Sequence, residues 1–216
     1  MAIYAKPPLP AGEIMIDDQD QRHREKMAKK KASRDKLMAK KTGGTHGVVI
    51  VHTGAGKGKS TAAFGMAIRC VGHGMKVGIV QFIKGAWDTA ERRVLEGFGE
   101  LVTFRAMGEG FTWETQDRAR DVAAAARAWE VAAAMLADPA YKMVILDEIN
   151  VALRYEYLDL ATVLDAVRGR PEGQHAVLTG RNALPPLIEA ADLVTEMTMV
   201  KHPFKDGIKA QAGVEF

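Results

Sequence analysis

The sequence predicts an α/β protein, a mostly parallel sheet with helices on both faces, and three observations carry that expectation. Short runs rich in Val, Ile and Leu recur along the chain: "VVIVHT" (48–53), "KVGIVQF" (76–82), "LVTFRAM" (101–107), "MVILDE" (143–148), "HAVLTG" (175–180) and "LVTEMTMV" (193–200). Several are apolar throughout instead of alternating, as strands covered on both faces require. Helix-forming stretches separate them, near 59–72, 89–97, 115–137, 158–168 and 184–190, and such alternation gives parallel strands joined by crossover helices. Finally, the glycine-rich and charged segments come immediately after the apolar runs, as in "TGAGKGKST", "KGAWDTAERR", "GEGFTWETQD", "DEIN", "GRNALPP" and "KHPFKDG". Ligands bind in a parallel sheet at the carboxyl ends of its strands, so these segments outline one site.

Taken in order, residues 1–20 combine Pro7, Pro8, Pro10 and Gly12 with an acidic cluster, a composition that reads as a flexible arm. Residues 21–41, "QRHREKMAKKKASRDKLMAKK", hold ten Lys plus Arg against two acids and read as a basic helix, and "TGGTHG" (42–47) as a hinge. The basic segment contrasts with the rest of the chain, where 20 basic residues face 25 acidic ones. A solvated helix, an arm that binds nucleic acid or an acidic membrane surface, and a segment that folds over an anionic ligand all suit this pattern. It lacks the interleaved aromatics of a single-strand binder. The domain proper is expected over 46–216, with the first strand at 48–53, the first crossover helix at 59–72 and the remaining strands and helices alternating to the end.

A length of 216 residues and 47% hydrophobic composition support one domain with an appendage. The sequence has no run of 18 apolar residues and its start lacks the pattern of a secretory signal, so a cytoplasmic protein without membrane segments is expected. Its one cysteine, Cys70, lies in an apolar helical stretch and is expected to be a buried structural thiol.

"VHTGAGKGKS" carries the chemistry. A phosphate-binding loop reads G-x-x-x-x-G-K-S/T between a strand and a helix. Gly58, Lys59 and Ser60 fit that pattern, but Thr53 occupies the usual place of the first glycine, which is displaced to Gly54. Gly54, Gly56 and Gly58 alternate, which lets backbone N–H groups converge on phosphate oxygens while the next helix aims its positive end at the same place. Lys59 supplies a point charge, Lys57 a second cation, and Ser60 a hydroxyl for Mg²⁺. "MVILDE" ends an apolar strand in Asp147 and Glu148, either of which is placed to reach that Mg²⁺. Phe111 and Trp113, in a glycine-rich connection, either pack onto the core or form a platform for a large flat ligand. Arg181, Lys201, His202 and Lys205 follow the fifth and sixth strands as further candidates for an anion. His202 has no accompanying His or Cys cluster of the kind a metal site needs.

The ordered set "TGAGKGKSTAAFGMAIRCVGHGMKVGIVQFIKG", "GFTW", "LDE", "LTGR" and "VKHPFKDGIKAQAGVEF" resembles the ATP:corrinoid adenosyltransferase family, the cob(I)yrinic acid a,c-diamide adenosyltransferases with a phosphate loop. The resemblance runs from about residue 22 to the C-terminus and includes the displaced glycine. It implies a RecA-like P-loop NTPase fold with an N-terminal helical extension. It also implies transfer of the 5′-deoxyadenosyl group of ATP to cobalt(I) of a corrinoid, with triphosphate released. Gly54, Ala55, Gly56, Lys57, Gly58, Lys59, Ser60 and Thr61 would then bind ATP; Ala55 stands where relatives often carry a polar residue, so contacts there come from the backbone. Lys59 and Glu148 are the implied catalytic pair, with Ser60 and Glu148 on Mg²⁺ or Mn²⁺ and Asp147 a further metal candidate. Phe111 and Trp113 match aromatics near the corrin that disfavour its lower axial ligand, so that a reduced flavoprotein can deliver an electron to cobalt. The family also implies a homodimer in which the helix at 21–41 closes over a partner's site. The contrasting possibility from motifs alone is a P-loop ATPase that uses the basic arm on nucleic acid.

Overall fold

The computed structural model describes residues 18–41, 46–83, 90–108 and 117–214. Phe111, Trp113, most of the N-terminal arm and most of the hinge at 42–47 lie outside them. The chain divides into two units, Met1–Gly44 and Thr45–Phe216.

The first unit contains one helix, α1 (Asp18–Ala39), none of whose residues is buried. Its described part starts three residues before the basic run, and Asp18 and Asp20 place negative charge in the first turn, where the helix dipole favours it. Asp18 also pairs with Arg22 at 2.7 Å.

In the second unit the order is β1 (Val49–Thr53), α2 (Lys59–Gly72), β2 (Val77–Gln81), α3 (Ala90–Glu96), β3 (Val102–Ala106), α4 (Arg118–Ala137), β4 (Met143–Asp147), α5 (Ile149–Arg154), α6 (Leu160–Arg168), β5 (His175–Thr179), α7 (Pro185–Glu189) and β6 (Leu193–Glu196). Short 3₁₀ turns occur at Gly99–Leu101 and Pro203–Asp206. The six strands form one sheet in the order β3-β2-β4-β5-β1-β6, and every pair is parallel. The predicted α/β class and parallel sheet are therefore present. Each predicted strand is found, and the helix expected at 59–72 is α2.

Side-chain alternation within the strands builds two cores. Met143 and Ile145 of β4, with Ile50, Val77, Ile79 and Val177, pack against Ala63, Phe64, Ala67 and Cys70 of α2. Val144 and Leu146, with Val51, Val80 and Leu178, face Ala128, Ala132 and Leu136 of α4 and Val163 and Val167 of α6. Successive residues of a strand point to opposite faces, so an uninterrupted apolar run is what a doubly covered strand needs. β6 departs from this pattern: it is an edge strand of four residues, all exposed, and the apolar run at 193–200 is strand only to Glu196.

Local chemistry sets the helix ends. Asp117 caps α4 by accepting from Arg120 N (3.1 Å), and Asp159 caps α6 by accepting from Thr162 N (2.8 Å). At the amino end of the sheet, the His175 Nδ1 accepts from Val48 N (3.0 Å), and Arg170 donates to Gly47 O (2.5 Å) and Gln174 O (2.7 Å). These contacts start β1 in register beside β5, so that its carboxyl end emerges next to Thr179.

Candidate functional site

The segment linking β1 to α2, residues 54–58, is a compact loop shaped by its glycines. Gly54 and Gly58 have φ of 97° and 102°, left-handed values that side chains resist, and Gly58 caps α2. Met197, just after β6, crosses the loop: Gly56 N donates to Met197 O at 2.6 Å, and Met197 N donates to Thr53 O at 2.9 Å. A Cβ at Gly54 would lie 2.4 Å from Met197 O, and one at Gly56 would lie 2.7 Å from both Met197 O and Thr198 O. The displaced glycine now has a physical reason. Thr53, at the usual glycine position, is the last residue of β1, and its hydroxyl accepts from Ala183 N at 3.0 Å. Close backbone approach begins one residue later, at Gly54.

Lys59 opens α2 and is buried, with its ammonium donating to Gly54 O (2.9 Å) and Gly56 O (2.6 Å). Its charge therefore sits inside the loop at the positive end of a 14-residue helix. Its carbonyl lies 3.2 Å from His52 Nδ1, which ties the first turn of α2 to β1. Ser60 is half-buried in that turn, whereas Ala55, Lys57 and Thr61 are exposed. The predicted phosphate-loop residues thus form one continuous structure, and its cation is already in place.

The two acidic candidates differ sharply. Asp147 is fully buried, and both its oxygens are engaged: Oδ2 accepts from Gln81 Nε2 (2.9 Å) and Oδ1 from Thr179 Oγ1 (2.7 Å). It joins the ends of β2, β4 and β5. Glu148 is half-buried and caps α5 in a left-handed conformation, φ 63° and ψ 17°. Its N–H donates to Thr179 Oγ1 at 3.0 Å. Its carboxylate lies beside Gly180, where an added Cβ would be 3.2 Å from Oε2. Asn150 braces the same corner by donating to Gly180 O at 3.0 Å.

β5 lies between β1 and β4 and connects the two halves of the site, because Thr179 holds Asp147 and Glu148 while Gly180 N donates to His52 O at 3.2 Å. Gln81, Thr179, Asn150 and Met197 were not among the predicted site residues. Gln81 and Thr179 nonetheless carry a legible signal, a lone polar residue ending an apolar run. Of the other candidates, Arg181 is exposed, Lys201 lies 3.7 Å from Asp206, and His202 Nδ1 accepts from Phe204 N at 3.2 Å. Among the described residues, no group of three or more His, Cys, Asp or Glu could hold a metal. One hard carboxylate and one hydroxyl, Glu148 and Ser60, instead suit Mg²⁺ that arrives on a polyphosphate, since Mg²⁺ keeps most of its ligands from phosphate and water.

The family described as ATP:corrinoid adenosyltransferase BtuR/CobO/CobP matches residues 45–216, and that described as Cob(I)alamin adenosyltransferase N terminal matches residues 12–37. A corrinoid adenosyltransferase of Pseudomonas aeruginosa is 58% identical over 92% of this chain and 98% of its own length. One from a Sinorhizobium species is 58% identical over 95% of this chain and 96% of its own length. One from Escherichia coli K12 is 46% identical, covering 91% and 99%.

Proposed function

The chain belongs to the ATP:corrinoid adenosyltransferase family, and from that premise we propose that it transfers the 5′-deoxyadenosyl group of ATP to cobalt(I) of a corrinoid and releases triphosphate. The observation that carries the proposal is the buried Lys59 ammonium inside the loop at 54–58. A polyanion bound there meets a lysine, backbone N–H groups and the positive end of α2 together.

In the reaction, the cobalt(I) electron pair attacks C5′ of ATP and forms the Co–C bond. The C5′–O5′ bond breaks, and the triphosphate leaves with the bonding pair. Cobalt(I) is itself a strong nucleophile, so the protein need not supply an activated side chain. Its tasks are alignment of C5′ with cobalt and stabilisation of the leaving oxygens. Lys59 and the backbone of Gly54, Ala55, Gly56, Lys57 and Gly58 serve the second task, extended by Ser60 and Thr61 on the first turn of α2. Ser60 and Glu148 would hold Mg²⁺, or Mn²⁺ in its place. When bound, the ion neutralises part of the triphosphate charge. The engagement of both Asp147 oxygens supports Glu148 as the carboxylate that faces the ion.

Phe111 and Trp113 are assigned to the corrin, where they disfavour the lower axial ligand and so ease reduction of cobalt(II) by a reduced flavoprotein. The resemblance to the family supports a homodimer in which the basic α1 closes over the partner subunit's polyanionic substrate. Among the described residues, no helix is long and apolar enough to cross a membrane.

Incubating the protein with ATP, Mg²⁺ and chemically reduced cobalamin tests the proposal. It predicts the light-sensitive spectrum of adenosylcobalamin. ATP hydrolysis stimulated by DNA or RNA, with no adenosylated product, would instead identify a nucleic-acid-associated ATPase.

A further inference from the structure

Glu148 stands in a conformation that residues other than glycine rarely adopt, with φ 63° and ψ 17°. Such a geometry persists only where its surroundings hold it. Those surroundings form one network of hydrogen bonds that converges on Asp147 from the ends of two neighbouring strands. Gln81 Nε2 at the end of β2 donates to Asp147 Oδ2 (2.9 Å), Thr179 Oγ1 at the end of β5 donates to Asp147 Oδ1 (2.7 Å), and Glu148 N donates to Thr179 Oγ1 (3.0 Å). Asp147, Gln81 and Thr179 are each at most 2% exposed, so the two links to Asp147 are shielded from water, while the link to the half-buried Glu148 is partly so.

We infer that Thr179 and Gln81 are positioning residues for the metal carboxylate. The Thr179 hydroxyl acts as a two-way relay: its proton is committed to Asp147, which leaves its oxygen to receive the Glu148 amide. Gln81 donates to the other oxygen of Asp147 and keeps that carboxyl group from turning toward the ligand. Asp147 is thereby a structural acceptor, and Glu148 is the acid presented to the site. Threonine is suited to this place because β5 passes between β1 and β4, and only a short side chain with both donor and acceptor satisfies Asp147 and the Glu148 amide at once. Outer partners of metal-binding carboxylates typically alter metal affinity or activity about 10- to 100-fold when removed.

The inference rests on the assignment of Glu148 to the metal, and the test separates the two. Mn²⁺ binding in the presence of ATP is titrated on the full chain by the loss of the free-ion electron paramagnetic resonance signal, beside turnover as a function of Mg²⁺. Thr179→Val keeps the shape and removes the relay, and it is expected to weaken Mn²⁺ binding about tenfold or more and to raise the Mg²⁺ needed for half-maximal rate. The KM for reduced corrinoid should stay unchanged. Thr179→Ser restores the hydroxyl and should recover most of the affinity, which a generally loosened fold would not do. Gln81→Met, with the hydroxyl intact, should shift affinity in the same direction.

If Glu148→Gln binds Mn²⁺ as the wild type does, the metal assignment itself fails, and the inference with it. If Glu148→Gln weakens binding but Thr179→Val and Gln81→Met do not, the assignment stands and the positioning inference is overturned. A Thr179→Ser protein no better than Thr179→Val also overturns it.

Discussion

Lys59 is the residue on which the proposed chemistry rests, because its ammonium is both buried and hydrogen-bonded to the loop it follows. Removing it leaves a helix terminus and backbone N–H groups without their full charge. Lys59→Ala is therefore expected to lower kcat about 10²–10³-fold, the size of effect seen when one preorganised oxyanion donor is lost. Wild-type turnover would contradict its role. At Gly56 the limit is steric: alanine there would place a Cβ 2.7 Å from two backbone oxygens. Gly56→Ala should weaken ATP binding by more than tenfold, measured calorimetrically, with the sheet still folded by circular dichroism. These residues were legible from spacing alone. The reason for the displaced glycine was not, because Met197, where the chain crosses the loop, is 143 residues beyond Gly54, and no local pattern predicts that approach. The acid pair behaved similarly: "LDE" located the site, but only the partners of Asp147 distinguish its two carboxylates.

Among the elements, the amino end of β1 and β5 is expected to respond to pH. Burial, and then the positive charges of Lys142 and Arg170, hold the His175 imidazole below its ordinary value, and its Nδ1 must stay unprotonated to accept from Val48 N. The unfolded chain takes up this proton near the ordinary value of about 6.5, whereas the native chain does so only at lower pH. The stabilisation is thus complete above about pH 6.5 and is lost as pH falls from there through the native value. Urea midpoints measured from pH 7.5 down to 5 should fall more steeply for the wild type than for His175→Gln, and parallel curves would contradict this. Burial also raises the Cys70 thiol, so Cys70 in α2 should resist a thiol reagent at neutral pH in the native protein and react on unfolding. The sequence revealed α2 to its last residue, since strand, glycine loop and apolar periodicity coincide there. It gave no sign of α5, a six-residue helix immediately after Glu148, because one and a half turns are too short to show a period. It also made β6 too long, since apolar content does not distinguish a covered strand from an exposed edge.

Across the whole molecule, positive charge is concentrated in one segment. The basic excess lies in residues 21–41, which α1 mostly covers, and the acidic excess in the remainder. That asymmetry suits a nucleic-acid arm as well as a polyanionic small substrate, so the resemblance to the adenosyltransferases is carried by the five ordered motifs, "GFTW" and the displaced glycine among them. Deleting residues 1–41, which hold eleven Lys plus Arg against six acids, should raise the KM for ATP and reduce its dependence on ionic strength, because the net positive charge that would attract the proposed polyanionic substrate is removed. Unchanged kinetics would leave the helix a solvated tail. The central claim is that the triphosphate leaves whole. Phosphorus-31 nuclear magnetic resonance of a reaction containing ATP, Mg²⁺ and reduced corrinoid tests this most directly. The expected result is inorganic triphosphate formed in step with adenosylated corrinoid, one for one, whereas ADP with orthophosphate in its place would contradict the account.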